Sequence, residues 1–238
     1  MAEPSNPKRP ARSKKALEPD FSPFVDWLID GPACEWPTSW DAERELTEKQ
    51  KTIVAANAAL LLDRKAWHKK VSAFEAAISS LKEEEDRKNA RAKFEIRFDQ
   101  HRFIDGAKSF SRYVFPCSVS FQGTNFGDGD ISFHDATFGD GDVRFGGATF
   151  GIGTVVFMRT MFGNGDVSFE RVKFGDGNVS FKGAMFDSGH VSFFEATFGK
   201  GNILLMEANF QSSSMHAGSV INSVYLARPM RVSDMVTH

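Results

Sequence analysis

The sequence predicts an α+β protein, an N-terminal helical region followed by a β-solenoid. Two observations carry this. From residue 121 to residue 210 a unit of twelve residues recurs without slip, and a short fixed period signals a stacked array. Ahead of it, residues 41–98 hold neither Gly nor Pro and are rich in Ala, Leu, Glu and Lys, a composition that favours helix. The division expected is a basic tail at 1–20, a Trp-containing and helical region at 21–105, the solenoid at 106–210, and a C-terminal cap or tail at 211–238.

Residues 1–20 combine Pro, Ser, Lys and Arg with almost no large apolar side chains. Such a segment buries too little surface to offset its ordering entropy, so disorder is expected. Lys8, Arg9, Arg12, Lys14 and Lys15 read as a solvated tail rather than a binding site. From 21 to 40, Phe24, Trp27, Leu28, Trp36 and Trp40 alternate with Pro23, Pro32 and Pro37. Pro breaks helix here, and the tryptophans imply a segment docked on an apolar surface. The chain's own helix or solenoid end is the favoured surface, with a partner protein as the minority reading for Trp36 and Trp40.

Within 41–98 the apolar residues Ile53, Leu60, Trp67, Phe74 and Leu81 recur every seven positions, joined by Val71 and Ile78. This is an amphipathic seam that needs a partner surface. A second copy of the chain in a coiled coil is one candidate, so a homodimer stays open. Asn57 and Arg64 interrupt the seam, and the run from Glu83 to Lys88 reads as a solvated bend between helices.

The repeat carries two ladders of Phe. The first is Phe121, Phe133, Phe145, Phe157, Phe169, Phe181 and Phe193, ending in Leu205; the second is Phe126, Phe138, Phe150, Phe162, Phe174, Phe186, Phe198 and Phe210. Two residues before each Phe stands Val or Ile in the first ladder, and Thr, Ala or Val in the second. Residues i and i−2 share one face of an extended strand, so both sets point inward and the variable residue between them points to water.

Units such as T-N-F, A-T-F and V-S-F, with a central Phe and a small or branched residue two before it, resemble the pentapeptide-repeat family. The resemblance covers about two-fifths of the chain and departs in spacing, since Phe-to-Phe steps alternate five and seven. It implies a right-handed, four-sided β-helix. Volume then favours two repeats per coil, because twelve residues of perimeter cannot enclose two Phe, a Val and an Ala without overpacking. Twenty-four residues per coil place Phe121 on Phe145, and Phe133 on Phe157. The block Phe110, Phe115, Pro116, Cys117 reads as an imperfect first coil, one residue short. The helices and the segment after 210 are expected to cap the two ends.

The GDGD-type turns raise the question of calcium, but equivalent turns read GIGT, GKGN and DSGH, so no ligand column is expected, and no metal or cofactor is assigned. The six histidines are dispersed, and no nucleophile elbow or P-loop occurs. No catalytic residue is therefore expected. Net charge is −2, from 29 basic and 31 acidic residues, which gives no global pull toward nucleic acid or anionic lipid. Cys34 and Cys117 are isolated thiols, which fits a reducing, cytoplasmic setting, and no transmembrane span is apparent.

Function is expected to be non-catalytic: a scaffold or protein-interaction module with a rigid surface, its protein partner unidentified. Some members of the resembled family imitate DNA and bind a type II topoisomerase. Residues 106–210 carry 11 acidic against 8 basic residues, which is thin for such a mimic, so this remains the alternative, beside a coiled-coil assembly factor. Met158, Phe194 and Met206 are apolar where the repeat asks for nothing apolar. They are candidate partner contacts, or positions covered by the N-terminal helix.

Overall fold

The computed structural model describes residues 19–29, 36, 41 and 44–210, with two further short strands at Met215–His216 and Val224–Tyr225. Trp40, Cys34 and most of the basic tail and of the C-terminal cap lie outside the described residues.

The helical region is three helices, α1 (Glu48–Leu62), α2 (Arg64–Ser79) and α3 (Glu84–Arg91). Thr47 opens α1 with a reciprocal cap: its hydroxyl accepts from the Gln50 amide, and the Gln50 side chain accepts from the Thr47 amide. Asp63 then closes α1 and caps α2, accepting the Ala66 N–H at 3.0 Å. That break divides between two helices the seven-residue pattern that was expected to run along one. In α2 the stripe holds, with Trp67, Val71, Phe74 and Ile78 buried. In α1 the buried residues are Gln50, Val54, Asn57, Ala58 and Leu61, leaving Ile53 and Leu60 only half-buried, as is Leu81 beyond the end of α2.

The seam is used inside the chain. A short 3-10 turn, Ser22–Trp27, lays Phe24 and Trp27 against it: Phe24 meets Phe74 edge-on at 5.2 Å, and Trp27 lies 6.1 Å from Trp67. Asn57, polar in an apolar seam, is fully employed there. It accepts the Trp27 indole N–H at 3.2 Å and donates to the Arg97 carbonyl at 3.1 Å. A coiled-coil partner would find this stripe already covered. The bend lies ahead of the charged run, between Ser79 and Glu84, and most of the run expected to form it is instead the solvent-facing helix α3.

The helical reading ends too late. The chain leaves helix after Arg91, and Glu95–Arg97 forms β1, which pairs in parallel with Ser118–Ser120. The stack of Phe therefore starts at Phe98 and Phe103, which lie on Phe121 and Phe126 at 4.7 and 5.5 Å, ahead of the 105/106 division read from the repeat.

From there the chain winds a right-handed parallel solenoid of about five turns. Strand partners are 24 residues apart on each face, as in Val119 with Val143, Ile131 with Val155, and Thr137 with Met161. Phe121 stacks on Phe145 at 4.9 Å with rings 9° apart, and Phe133 on Phe157 at 5.1 Å and 1°. Phe121 and Phe133 meet edge-on, 6.0 Å apart within one coil. The coil therefore holds two repeats. Four faces result. Face 1 carries Val143–Arg144 and Val167–Ser168, face 2 Lys173–Phe174, face 3 Val155–Val156, and face 4 Met161–Phe162. All the ladder Phe from Phe121 to Phe193 are buried, while Phe198 and Phe210 at the far end are half-buried. Each buried ring is worth roughly 1.5–3 kcal/mol in transfer free energy.

The first coil is one residue short: Phe115 pairs with Phe138 at an offset of 23, whereas Val119 pairs with Val143 at 24. The deletion is thus in the Pro116-Cys117-Ser118 corner. There Arg91, held by both Glu75 oxygens at 2.6 and 2.7 Å, donates to the Pro116 carbonyl at 3.2 Å, tying α2 and α3 to the stack.

The GDGD corners answer to the coil beneath them. A Cβ on Gly153 would lie 2.1 Å from the Gly129 carbonyl carbon, so this column admits no side chain. The Asp beside each Gly bonds along the axis. The Asp128 carboxylate accepts the Ile152 N–H, Asp130 that of Thr154, Asp142 that of Asp166, and Asp176 that of Lys200, at 2.8–3.2 Å. The sequence reading of these residues as turn formers missed this axial bonding, whose partial signal was Asp or Asn recurring 24 residues apart, as in Asp142 with Asp166 and Asn178 with Asn202.

Candidate functional site: the outer side of face 1

Four faces are available for recognition, and face 1 concentrates polar chemistry. Its outward residues run in columns along the axis, because each strand repeats the register of the one before it. At the N-terminal end, Glu95, Arg97 and Asp99 point outward yet are only 2%, 5% and 3% exposed. Arg97 joins both acids, meeting Asp99 at 3.1 Å and forming a close ion pair with Glu95. Arg144, two coils further, pairs closely with the second Glu95 oxygen and holds Asp142 at 2.7 Å. Asp99 also accepts from the Ser120 hydroxyl and, at 3.2 Å, from the Gln122 N–H.

What buries this network is the segment before α1. The Trp36 ring lies 4.7 Å over the Arg97 guanidinium, and Gln100 donates to the Arg44 carbonyl at 2.6 Å. Trp36 therefore docks on the protein's own first coil, the reading favoured from sequence. Burial raises the carboxyls of Glu95 and Asp99 above the usual range, with Arg97 pulling both back and Arg144 opposing the rise at Glu95.

Beyond the covered end, face 1 opens into a shallow groove of about 300 Å³ lined by Gln122, Arg144, Asp166, Ser168, Glu170 and His190. Gly146 and the serines are small, and that produces the depression. Asp166 uses one oxygen to accept the His190 N–H at 2.8 Å. Among the described residues no group of three His, Cys, Asp or Glu could hold a metal ion. Cys117 is buried, and burial pushes its thiol far up, away from thiolate reactivity.

The apolar candidates do not assemble. Met158 and Met206 share a column at the corner between faces 3 and 4, with Lys182 between them, and both are half-buried. Phe194, 49% exposed, sits across the molecule at the rim of face 1, where the Arg171 N–H bonds its carbonyl. The helices pack on the first coil instead of covering these residues: Trp67 donates to the Val114 carbonyl at 3.1 Å, and Tyr113 to that of Leu61. The sequence reading missed Met161 and Met185, stacked partners on face 4 that are both exposed. Their signal was a Met just before a second-ladder Phe in two coils running.

No family model matches the chain, and a search of curated proteins finds no similar sequence. No described helix is long and apolar enough to cross a membrane.

Proposed function

We propose that this protein is a non-catalytic interaction module, with face 1 as its recognition surface and a protein as its partner. The observation that carries this reading is the filled interior. Each coil encloses four Phe in contact with those above and below, so binding must take place on the outside. A surface whose columns are fixed by Phe stacking and backbone pairing changes shape little on binding, which lowers the ordering cost of recognition. Face 1 adds the groove and a graded charge, paired at one end and acidic in the middle.

A DNA-like rod of carboxylates draws less support. Acids on the corners alternate with bases along the axis, as in Arg159 with Asp135 and Arg171 with Glu195, each at 2.7 Å.

The test is affinity purification from the native cell with wild type, a face 1 variant (Ser168→Arg/Ser192→Arg) and a face 2 control (Thr149→Arg). The proposal expects a partner retained by wild type and control and lost by the face 1 variant. Equal retention by all three would refute face 1 as the recognition surface.

A further inference from the structure

The near-zero net charge of the chain conceals a local concentration of positive charge on the described helices. The first half of α2 carries Lys65 and Lys69 opposite its buried stripe, with Arg64 and His68 on the flank of that stripe, and Arg64, Lys65 and Lys69 are exposed. None of these three cations has a carboxylate partner among the described residues, whereas Lys51, Arg87 and Arg91 on the same three helices each hold a glutamate. Asp63, the acid of that turn, is occupied in capping Ala66. Their position is also unfavourable for the helix. The N-terminal end of a helix favours acids and disfavours bases, yet the first turn of α2 contains no acid.

The charge continues onto the solenoid. The Arg64 guanidinium lies 5.2 Å over the Tyr113 ring, and the His68 ring is 5.4 Å from it. The neighbouring Arg112 is held at φ 61° with its side chain 75% exposed, and its one acidic contact among the described residues is Asp135 at 3.7 Å. The apolar side of α2 is fully buried within the chain, and a single exposed Leu62 is no insertion face. A lipid interface, which needs an apolar face to enter it, fits this surface poorly. Lys65 and Lys69 stand one helical turn apart on one stripe, an arrangement suited to a line of closely spaced negative charges, and a duplex offers one per ~1.7 Å of axis.

We propose that the outer face of α2, together with Arg112, binds the phosphate backbone of a double-stranded nucleic acid without reading its sequence. This surface is on the helical cap, separate from face 1, and stands or falls independently of the partner there.

The experiment is a fluorescence anisotropy titration of the full chain against a labelled random-sequence duplex DNA. Engagement of about four phosphates gives a log–log salt slope near −3.6, which is roughly a 150-fold loss of affinity between 50 and 200 mM salt. Lys65→Glu/Lys69→Glu should weaken binding at least tenfold and flatten the slope by about 2, with an unchanged thermal unfolding curve. Lys49→Glu/Lys88→Glu, which reverses exposed charges elsewhere on the helices, should bind as wild type does. Three results would each overturn the proposal: no binding at low salt, no effect of the α2 reversal, or binding to poly-glutamate or phosphatidylserine vesicles as tight as to the duplex. The second would assign the charge effect to the basic tail.

Discussion

The solenoid and the helical cap bury aromatic rings by opposite means. In the solenoid, the neighbour of Phe145 is Phe121 on one side and Phe169 on the other, nearly parallel at 4.9 and 5.2 Å. In the cap, the neighbours of Phe74 are Phe24 and Trp27 from the 3-10 turn and Phe94 from beyond α3, met edge-on or tilted. One region repeats a single contact along an axis, and the other makes each contact once. The difference has energetic consequences, because a repeat array distributes stability among nearest neighbours while a small cap depends on every member.

The largest test of that contrast is truncation of one ring in each region. Phe157→Ala and Phe74→Ala should each cost about 3–5 kcal/mol. Phe157→Ala should speed amide exchange in the coils around it while leaving the cap protected. Phe74→Ala should expose α1, α2 and the 3-10 turn together. Hydrogen exchange resolved by residue distinguishes them, and uniform loss of protection in both variants would break the contrast.

Next in size are the glycine columns. Gly153→Ala forces a Cβ to within 2.1 Å of backbone in the coil below and should cost about 1–3 kcal/mol or more. Gly183 is at φ 64° with its nearest neighbour 3.4 Å from an added Cβ, so Gly183→Ala should cost only about 1 kcal/mol of backbone strain. Denaturant midpoints rank the two, and a reversed order would show that the coils are not in such close contact.

The buried network at the junction of cap and solenoid predicts a pH dependence. The folded carboxyls of Glu95 and Asp99 are raised, so the folded state holds their protons more tightly than the unfolded chain does. Stability should then decline as pH rises from the ordinary carboxylate value near 4 toward the raised folded values. Glu95→Gln should flatten that decline in denaturant midpoints measured across the window. A steeper decline in the variant would reverse the sign.

The smallest effect concerns the other corners, where the second residue after each first-ladder Phe has positive φ. Glu207 is held at φ 60°. Glu207→Gly should relieve up to about 1 kcal/mol of strain, partly offset by greater freedom in the unfolded chain. A thermal shift of the opposite sign would show that the side chain contributes more than its backbone costs.

What could be read from the amino-acid order follows the same division. The Phe ladders, their inward partners and the two-repeat coil were legible because each position is copied and its neighbour is itself. The beginning of the stack was not, because Glu95–Arg97 has no Gly-Asp corner and follows directly on helical composition; Phe98, Phe103 and Phe110, spaced five and seven, were the signal available. The break at Asp63 was hidden because a seven-residue spacing continues across it. Face 1 was the least legible: Glu95 and Arg97 fall within the stretch of helical composition and Asp99 just after it, and nothing marks them until Trp36, some sixty positions earlier, is placed over Arg97.

A cysteine pair separates a coil of 24 residues from one of twelve. Ser168 and Ser192 are register partners on face 1, at the spacing of neighbouring strands, about 4.8 Å, which is within disulfide range. Ser180, twelve residues from each, lies on face 3. In a Cys34→Ser background, Ser168→Cys/Ser192→Cys should oxidise to an intramolecular disulfide with the fold intact, and Ser168→Cys/Ser180→Cys should not. A disulfide in the second variant and none in the first would mean that each coil holds twelve residues.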